Sequence, residues 1–305
     1  SWQANLSKCS QRLRCFGLLN IRKAQTEEYR KEMHEEGENQ CRQILADEEK
    51  MKMKIYEICF SPTGGTKAAA DRLTEGLIGE LRFVDLTDSK KNFSDISLEK
   101  GDLAVIAVPS YGGRVPGPAA ERISAIQGNG VNAVLVCVYG NRAYEDTLAE
   151  LQDTAKQAGF RITAAVAAIA EHSIARRFAA GRPDMQDQVK LHTFAQKIQE
   201  KLDTENYAEP LIPGNRPYKK SSGSNMVPKS AKGCVKCGLC ALKCPVRAID
   251  PNDPGKVDGE VCISCMRCVS VCPHSARKAD SELLTAVDAM LQKVCSDRKE
   301  PELYL

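Results

Sequence analysis

The sequence predicts an α/β protein in which a doubly wound, five-stranded parallel sheet is followed by a small, cysteine-rich α+β domain. Two observations support this fold class. Short apolar runs alternate with helical segments over residues 53–203, as in parallel sheets that carry helices on both faces. Eight of the 14 cysteines then fall between residues 234 and 272, a segment too short to build a core from side chains alone.

Each strand of the predicted sheet is a short apolar run. The five runs are Ile55–Phe60, Leu81–Leu86, Leu103–Val108, Ala133–Tyr139 and Arg161–Ile169. The third run is continuously apolar between Asp102 and Pro109, as a fully buried parallel strand should be. Helices are predicted over Lys67–Ile78, Pro118–Ile126, Tyr144–Ala158 and Met185–Leu202.

Three further segments flank the two domains. Residues 1–52 are a charged N-terminal extension, which we expect to be helical or disordered and dispensable, or alternatively to be a helix that docks on a partner. Residues 204–230 are rich in Pro, Gly, Ser and Lys and predict an extended linker. The cysteine-rich domain should span 231–280. An amphipathic stripe in 281–305 predicts a C-terminal helix that packs back on its own protein.

Bulk composition excludes several classes of function. A net charge of +3 is too small to argue for nucleic acid, and no helix-turn-helix or basic recognition stretch is present. No apolar run approaches the roughly 18 residues that a membrane helix needs. We therefore predict a soluble protein with no membrane span. Free thiols indicate a reducing cytoplasm.

The cysteines of the C-terminal part form two identical runs, C-x₂-C-x₂-C-x₃-C-P. The first run has Cys234, Cys237, Cys240 and Cys244, and the second has Cys262, Cys265, Cys268 and Cys272. Zinc sites use pairs of ligands separated by a spacer, and disulfides would imply an oxidising compartment although no secretory signal is visible. Both alternatives fit the spacing less well than iron–sulfur ligation.

This spacing resembles the ligand runs of bacterial ferredoxins that carry two [4Fe–4S] clusters. In that arrangement the fourth cysteine of each run crosses to the other cluster. The resemblance therefore implies one cluster on Cys234, Cys237, Cys240 and Cys272, and another on Cys262, Cys265, Cys268 and Cys244. Basic residues around the runs would partly offset the charge of the clusters, raising their potential or attracting an acidic partner.

A second chemical signature follows the first strand. The segment Ser61-Pro62-Thr63-Gly64-Gly65-Thr66 places hydroxyls and glycines at a strand-to-helix turn. Glycine lets backbone N–H groups approach a phosphate, hydroxyls donate to it, and the next helix presents its N-terminus. The segment is neither a Walker loop nor the dinucleotide fingerprint. It predicts a site for a terminal phosphate.

Two more loops should reach the same edge of the sheet. The loop after the third strand contains Ser110, Tyr111, Gly112 and Gly113, and the fourth strand ends in a loop with Tyr139, Gly140, Asn141 and Tyr144. His172, after the fifth strand, belongs to the same edge; it is either a proton carrier or a surface histidine with no catalytic duty.

The phosphate loop resembles that of the flavodoxins, which has the form [ST]-x-T-G-x-T. The resemblance implies a flavodoxin-like sheet of order 2-1-3-4-5 with FMN at its carboxyl edge, a tyrosine stacked on the flavin ring, and the glycine backbones at its polar edge. Tyr111, Tyr139 and Tyr144 are the candidates for stacking.

From about Met53 to its end the chain resembles the flavodoxin–ferredoxin fusion proteins of anaerobic bacteria. The resemblance implies an electron-transfer protein that exchanges one- and two-electron carriers between FMN, two clusters and unidentified redox partner proteins. The alternative is an oxidoreductase in which the clusters feed electrons to the flavin, and the flavin reduces a small quinone-like acceptor. A cluster-based sensor or scaffold is a third hypothesis.

Overall fold

The computed structural model describes Glu35, Asn39, residues 53–220 and residues 226–305. Apart from Glu35 and Asn39, the predicted N-terminal extension lies outside the described residues, as do residues 221–225 of the predicted linker. Lys54–Leu77 and Leu81–Leu305 form one compact unit, which contains both the sheet and the cysteine-rich segment.

The sheet elements alternate along the chain as predicted. They are β1 (Lys54–Cys59), α1 (Gly65–Thr74), β2 (Glu80–Asp85), β3 (Leu103–Pro109), α2 (Gly117–Ala125), β4 (Asn132–Tyr139), α3 (Thr147–Gln157), β5 (Arg161–Ile169) and α4 (Met185–Asp203). Among the described residues the strands form one large sheet of order β2-β1-β3-β4-β5-β8, in which β8 is the C-terminal strand Glu302–Tyr304. The predicted order 2-1-3-4-5 is confirmed.

The central strands are the core of this domain. Pairing is parallel from β1 to β3, from β3 to β4 and from β4 to β5. All residues of β3 from Leu103 to Val108 are buried, because helices cover both faces of a central parallel strand. Helix α1 packs beside α4 and α2 packs beside α3. The loops at the carboxyl ends of β1, β3, β4 and β5 therefore meet at one edge.

The C-terminus differs from the predicted helix over 281–305. Helix α7 covers only Ser281–Gln292, and Glu302–Tyr304 form β8, which pairs antiparallel with β5. Pro301 cannot continue a helix, and the side chain of Asn141 binds the segment between α7 and β8. Its Nδ2 donates to the carbonyl oxygens of Cys295 and Asp297 at 3.0 and 2.8 Å. Its Oδ1 accepts from the backbone N–H of Lys299 at 3.1 Å.

The amphipathic stripe of α7 packs back on the same chain, as expected. Leu291 is buried against Ala175 and Phe178, which follow β5, and Val287 packs at the rim of this small core. Val294 is half exposed, so the apolar stripe is covered only in part.

The predicted linker is extended but firmly attached. Asp146, at the start of α3, accepts hydrogen bonds from the backbone N–H groups of Asn215 and Lys219 at 2.8 and 2.7 Å. These bonds hold the pKa of the Asp146 carboxyl below its usual value. Arg216 forms an ion pair with Asp153 at 2.7 Å. The segment therefore follows the surface of α3.

The cysteine-rich segment consists of short elements. They are β6 (Lys229–Ser230), α5 (Leu239–Leu242), α6 (Arg267–Ser270) and β7 (Arg277–Lys278), and β6 pairs antiparallel with β7. Few apolar side chains are enclosed here: one small cluster of Ala241, Cys244, Ala248 and Ile249 is buried. Cysteine side chains make up part of this interior, because Cys240, Cys262 and Cys268 pack against the cluster.

A buried carboxyl lies inside the sheet domain. Glu57 of β1 is fully buried; its Oε2 accepts from the hydroxyl of Thr74 at 3.0 Å. Oε1 has no hydrogen bond and lies 3.6 Å from Nζ of Lys67. Burial, reinforced by the nearby Asp71, raises the pKa of Glu57 to about 7. Because the folded state holds this proton more tightly than the unfolded chain, the domain loses stability as pH rises from about 4.5 to 7.

Glu57→Gln is expected to remove this loss. Ionisation of Glu57 costs the folded wild type about 3 kcal/mol above pH 7, since each pKa unit corresponds to about 1.4 kcal/mol. The variant should be more stable than the wild type at pH 8, and the difference should shrink at pH 5. Urea unfolding at both pH values measures it, with the exposed Glu99→Gln as control. An equal difference at the two pH values would contradict the prediction.

Candidate functional site

A cleft of about 440 Å³ opens at the carboxyl edge of the sheet. It is lined by parts of four loops, which follow β1, β3, β4 and β5. The residues predicted from sequence that line it are Thr63, Gly65, Thr66, Ser110, Tyr111, Tyr139 and Gly140. Pro62, Pro109, Val138, Ala170, Glu171, His172 and Ser173 complete the lining. The structure therefore brings the phosphate loop and the predicted ring loops to one place.

The predicted phosphate loop, residues 61–66, presents the N-terminus of α1 to the cleft. Gly64, immediately before the helix, has a φ of +96°, which favours glycine, and it has no side chain to cap the helix. A Cβ on Gly65 would lie 3.0 Å from Cβ of Ala170, so glycine lets α1 approach the end of β5. The Ser61 hydroxyl accepts from the backbone N–H of Lys67 at 2.9 Å and fixes the turn. These features fit an anion at the start of α1.

The loop after β3 turns tightly at the cleft. Tyr111 and Arg114 exchange backbone hydrogen bonds at 3.0 and 3.2 Å across Gly112 and Gly113, both of which have positive φ. The Ser110 hydroxyl is bonded to that of Thr147 at 2.7 Å. This turn holds Tyr111 at the wall of the cleft.

Four of the residues predicted for the flavin ring are outside the cleft lining. Gly112 is in the turn, and Gly113 is covered by the side chain of Glu145. Asn141 is used to bind the C-terminal segment. The hydroxyl of Tyr144 is bonded to Glu302 and Tyr304 of β8 at 2.7 and 2.6 Å. Sequence reasoning placed these residues by their position after a strand. It could not foresee that Glu145 would cover Gly113, or that the C-terminal segment would bind Asn141 and Tyr144.

His172 lines the cleft as a neutral imidazole. Its Nδ1 accepts from the backbone N–H groups of Ile174 and Ala175 at 3.2 and 3.1 Å. Burial, with a smaller contribution from the charge of Arg142, lowers the pKa of His172. A proton on Nδ1 would break both bonds, so this side chain is a fixed N–H donor through Nε2 rather than a proton carrier. A Cβ on Gly140 would collide with the His172 ring, which explains the glycine there.

The eight cysteines of the two runs surround two cavities. We call the first, about 370 Å³, the outer cavity, because Cys237 is exposed; its cysteines are Cys234, Cys237, Cys240 and Cys272. The second, about 340 Å³, is the inner cavity, with Cys244 and Cys265 buried; its cysteines are Cys244, Cys262, Cys265 and Cys268. The fourth cysteine of each run thus lies with the first three of the other.

The backbone repeats the same turns in both runs. Lys236 and Ser264 have φ near +54° at equivalent positions, at 55° and 53°, and Gly238 and Met266 are left-handed at the starts of α5 and α6. Burial raises the pKa of the Cys265 thiol to about 12. A thiol in such a place becomes a thiolate when a cluster iron replaces its proton. Four thiols around each cavity are the donor set that a [4Fe–4S] cluster needs.

Comparison with known protein families assigns this segment independently. Residues 233–278 match the family described as the 4Fe-4S dicluster domain. The matched residues contain both cysteine runs, and the sheet before them has the flavodoxin order. The chain joins a sheet of flavodoxin-like fold to a segment that matches the 4Fe-4S dicluster domain; we call these parts the flavodoxin-like domain and the dicluster domain.

Solved structures with similarity to this chain cover its flavodoxin-like half. An archaeal flavodoxin is 14% identical, with 50% of this chain and 99% of that chain covered and a TM-score of 0.37. A short-chain flavodoxin associated with a bacterial microcompartment is 15% identical over 49% and 98% of the two chains, with a TM-score of 0.37. Rubredoxin:oxygen oxidoreductase from Desulfovibrio gigas is 18% identical over 52% of this chain and 38% of that one, with a TM-score of 0.38. No curated protein matches the sequence.

The dicluster domain meets the flavodoxin-like domain beside the cleft. Arg267, next to the inner cavity, donates through Nη1 to the carbonyl oxygens of Ser61 and Pro62, both at 3.2 Å. Arg122 of α2 donates through Nη2 to the carbonyl oxygen of Pro245 at 2.5 Å. From sequence, Arg267 is one of several basic residues around the cysteine runs. Its position between Cys265 and Cys268 was the feature that could have indicated a structural role.

Tyr111 of the cleft lies near a cysteine of the inner cavity. Burial raises the pKa of the Tyr111 phenol, and the thiol of Cys265 adds to the effect, so the two side chains are neighbours. Tyr111 also lines the cleft. The inner cavity is therefore the one that adjoins the cleft. In the part of the chain that is described, no helix has the length and apolar character needed to cross a bilayer.

Proposed function

We propose that this protein is an electron carrier that couples FMN in the cleft to two [4Fe–4S] clusters in the inner and outer cavities, in the cytoplasm of an anaerobe. A redox role follows from the 4Fe–4S dicluster domain. FMN would supply the exchange between one- and two-electron carriers, and each cluster would carry single electrons. The observation that carries the proposal is that the inner cavity lies beside the cleft: Arg267 donates to the carbonyl oxygens of Ser61 and Pro62, and Tyr111 of the cleft lies near Cys265.

The residues of the cleft would hold FMN by its two ends. The N-terminus of α1, with Thr63 and Thr66, suits the phosphate, because N–H and hydroxyl donors converge on one anion. Tyr111 and Tyr139 are the aromatic side chains at the other end, and Nε2 of His172 offers a donor. Arg267 adds a positive charge behind the phosphate loop without occupying the cleft, since its bonds go to the carbonyl side of Ser61 and Pro62.

The outer cavity suits exchange with a partner protein. Cys237 is exposed, Val235 of the same cavity is 60% exposed, and Leu242, at the end of α5, is 55% exposed. Lys236 and Lys243 are exposed beside them. An apolar patch with a basic rim is the kind of surface on which an acidic redox protein docks transiently.

The alternative function, reduction of a small acceptor at the flavin, requires a residue that delivers a proton. His172 was the candidate, and its Nδ1 is already an acceptor for two backbone N–H groups. The geometry therefore favours the electron carrier.

Cofactor content after anaerobic purification tests the proposal. We expect about eight irons, about eight acid-labile sulfides and one FMN per chain. About eight irons without flavin, even after incubation with FMN, would leave the flavodoxin-like domain a docking module and would refute the coupling. Fewer than about eight irons after reconstitution with iron and sulfide would refute the pair of clusters.

A further inference from the structure

A buried arginine occupies the core of the dicluster domain. Arg277, in β7, is 3% exposed. Arg277 comes five residues after Cys272, the last cysteine of the second run. Ile249 comes five residues after Cys244, the last cysteine of the first run, and is 4% exposed. The pairing partners agree, since Arg277 pairs with Ser230 and Ile249 forms the equivalent bridge with Val257. One repeat therefore buries an isoleucine where the other buries a guanidinium.

The guanidinium of Arg277 is only partly satisfied. Its Nη1 donates to the carbonyl oxygen of Pro254 at 2.6 Å. Nε and Nη2 are buried and make no hydrogen bond of good geometry among the described residues; the side chain of Cys268 is the polar group within reach. A buried charge without partners is strongly unfavourable, and the equivalent position shows that an aliphatic side chain fits there. The unpaired N–H groups therefore point to an anionic partner.

Arg277 lies beside cysteines of both cavities. It lines the outer cavity together with Cys272. The guanidinium of Arg277 also lies within reach of the Cys268 side chain, which belongs to the inner cavity. Arg277 is thus close to cysteines of both sets.

The other basic residues of the domain are placed differently. Arg267 is half buried and bonded to the phosphate loop. The other basic residues around the two cysteine runs are exposed: Lys229, Lys232, Lys236, Lys243, Arg247, Lys256 and Lys278. Exposed charges act weakly because water and salt screen them. Arg277 is the buried cation of the group.

We propose that Arg277 tunes the two [4Fe–4S] clusters, donating N–H groups to their sulfurs and raising their reduction potentials. The inference rests on the proposed occupancy of both cavities by clusters. Reduction adds one electron to a cluster and makes it one unit more negative, with no proton required. A fixed positive charge in a poorly hydrated site stabilises the reduced form more than the oxidised form.

The test is an anaerobic redox titration of the full chain with dithionite, followed by the electron paramagnetic resonance of the reduced clusters. Arg277→Ile installs the residue of the other repeat. It should make the reduction of at least one cluster about tenfold less favourable, which lowers the reduction potential of that cluster by about 59 mV. Arg277→Lys, which keeps a charge with fewer fixed donors, should shift it less. Lys278→Gln removes an exposed charge from the next residue and should shift it least.

The outcomes separate this inference from the proposed function. If the wild type does not hold about eight irons, the proposed function fails before any potential is measured. If Arg277→Ile holds its iron and both potentials equal those of the wild type, the tuning role is refuted. If the reduction potential falls as far in Lys278→Gln as in Arg277→Ile, the tuning role is also refuted, because the loss of one net charge would explain both changes. If neither Arg277 variant holds iron while Lys278→Gln does, Arg277 serves assembly and the tuning role is likewise refuted.

Discussion

Thr63→Glu is expected to weaken FMN binding about a thousandfold while leaving the iron content unchanged. Thr63 is a half-buried lining residue of the cleft, two residues before the first residue of α1. A carboxylate there would face the phosphate. Two like charges about 4 Å apart repel by roughly 4 kcal/mol at an effective dielectric constant near 20, which corresponds to about a thousandfold in affinity.

The matched control is Thr63→Gln, which has nearly the shape of Glu and no charge. Flavin is removed, and each variant is titrated with FMN while flavin fluorescence is followed. Riboflavin, which has no phosphate, is titrated in parallel. We expect the Glu variant to lose affinity for FMN relative to the Gln variant, and the two variants to bind riboflavin equally. An equal loss for both flavins would mean that the variant damages the cleft and that the phosphate assignment lacks support.

The buried parallel strands could be predicted from sequence because a strand covered on both faces is apolar throughout. Their order, 2-1-3-4-5, was implied by the resemblance of the phosphate loop to that of the flavodoxins. Leu103–Val108 is apolar without interruption, and only a central strand with helices on both faces needs that composition. The two sets of cluster ligands could also be predicted from sequence, because ligand spacing is a local property of the chain. Both runs make the same left-handed turns. The spacing of ligands within a run does not depend on how distant segments pack.

The ring contacts were less predictable because they depend on segments distant in sequence. Asn141 and Tyr144 follow β4 and have the right types for a flavin loop, yet both bind residues from the C-terminal segment. Nothing in the pattern around Asn141 indicates that β8 will pair with β5. Long-range pairing of this kind is decided by the whole sheet, and no short stretch of sequence carries it.

The arginine at position 277 is visible in the sequence as a difference between the two cysteine runs, but its meaning depends on whether the side chain is buried. The second run ends in Ala-Arg where the first ends in Ala-Ile, and sequence alone does not tell whether the arginine is exposed. Burial of both residues at equivalent positions gives the difference a physical meaning.

Removing the inner cluster is expected to isolate FMN from external electron donors. The double variant Cys262→Ala/Cys265→Ala deletes two thiols of the inner cavity, and Cys265 is the cysteine that neighbours Tyr111. The variant should lose about four irons and keep FMN, because the cleft residues are untouched. Reduction of the flavin by a reduced ferredoxin, which is too large to enter the cleft, should fall by orders of magnitude.

The matched control, Cys234→Ala/Cys237→Ala, makes the same change at the equivalent positions of the outer cavity. It should also lose about four irons. If the outer cluster is the entry point, this variant should likewise be slow with a protein donor but should still equilibrate its inner cluster with the flavin. Stopped-flow absorbance of the flavin measures both variants against the wild type. Fast flavin reduction in the inner-cavity variant would mean that electrons reach the cleft without the inner cluster, and the order of outer cavity, inner cavity and cleft would be wrong.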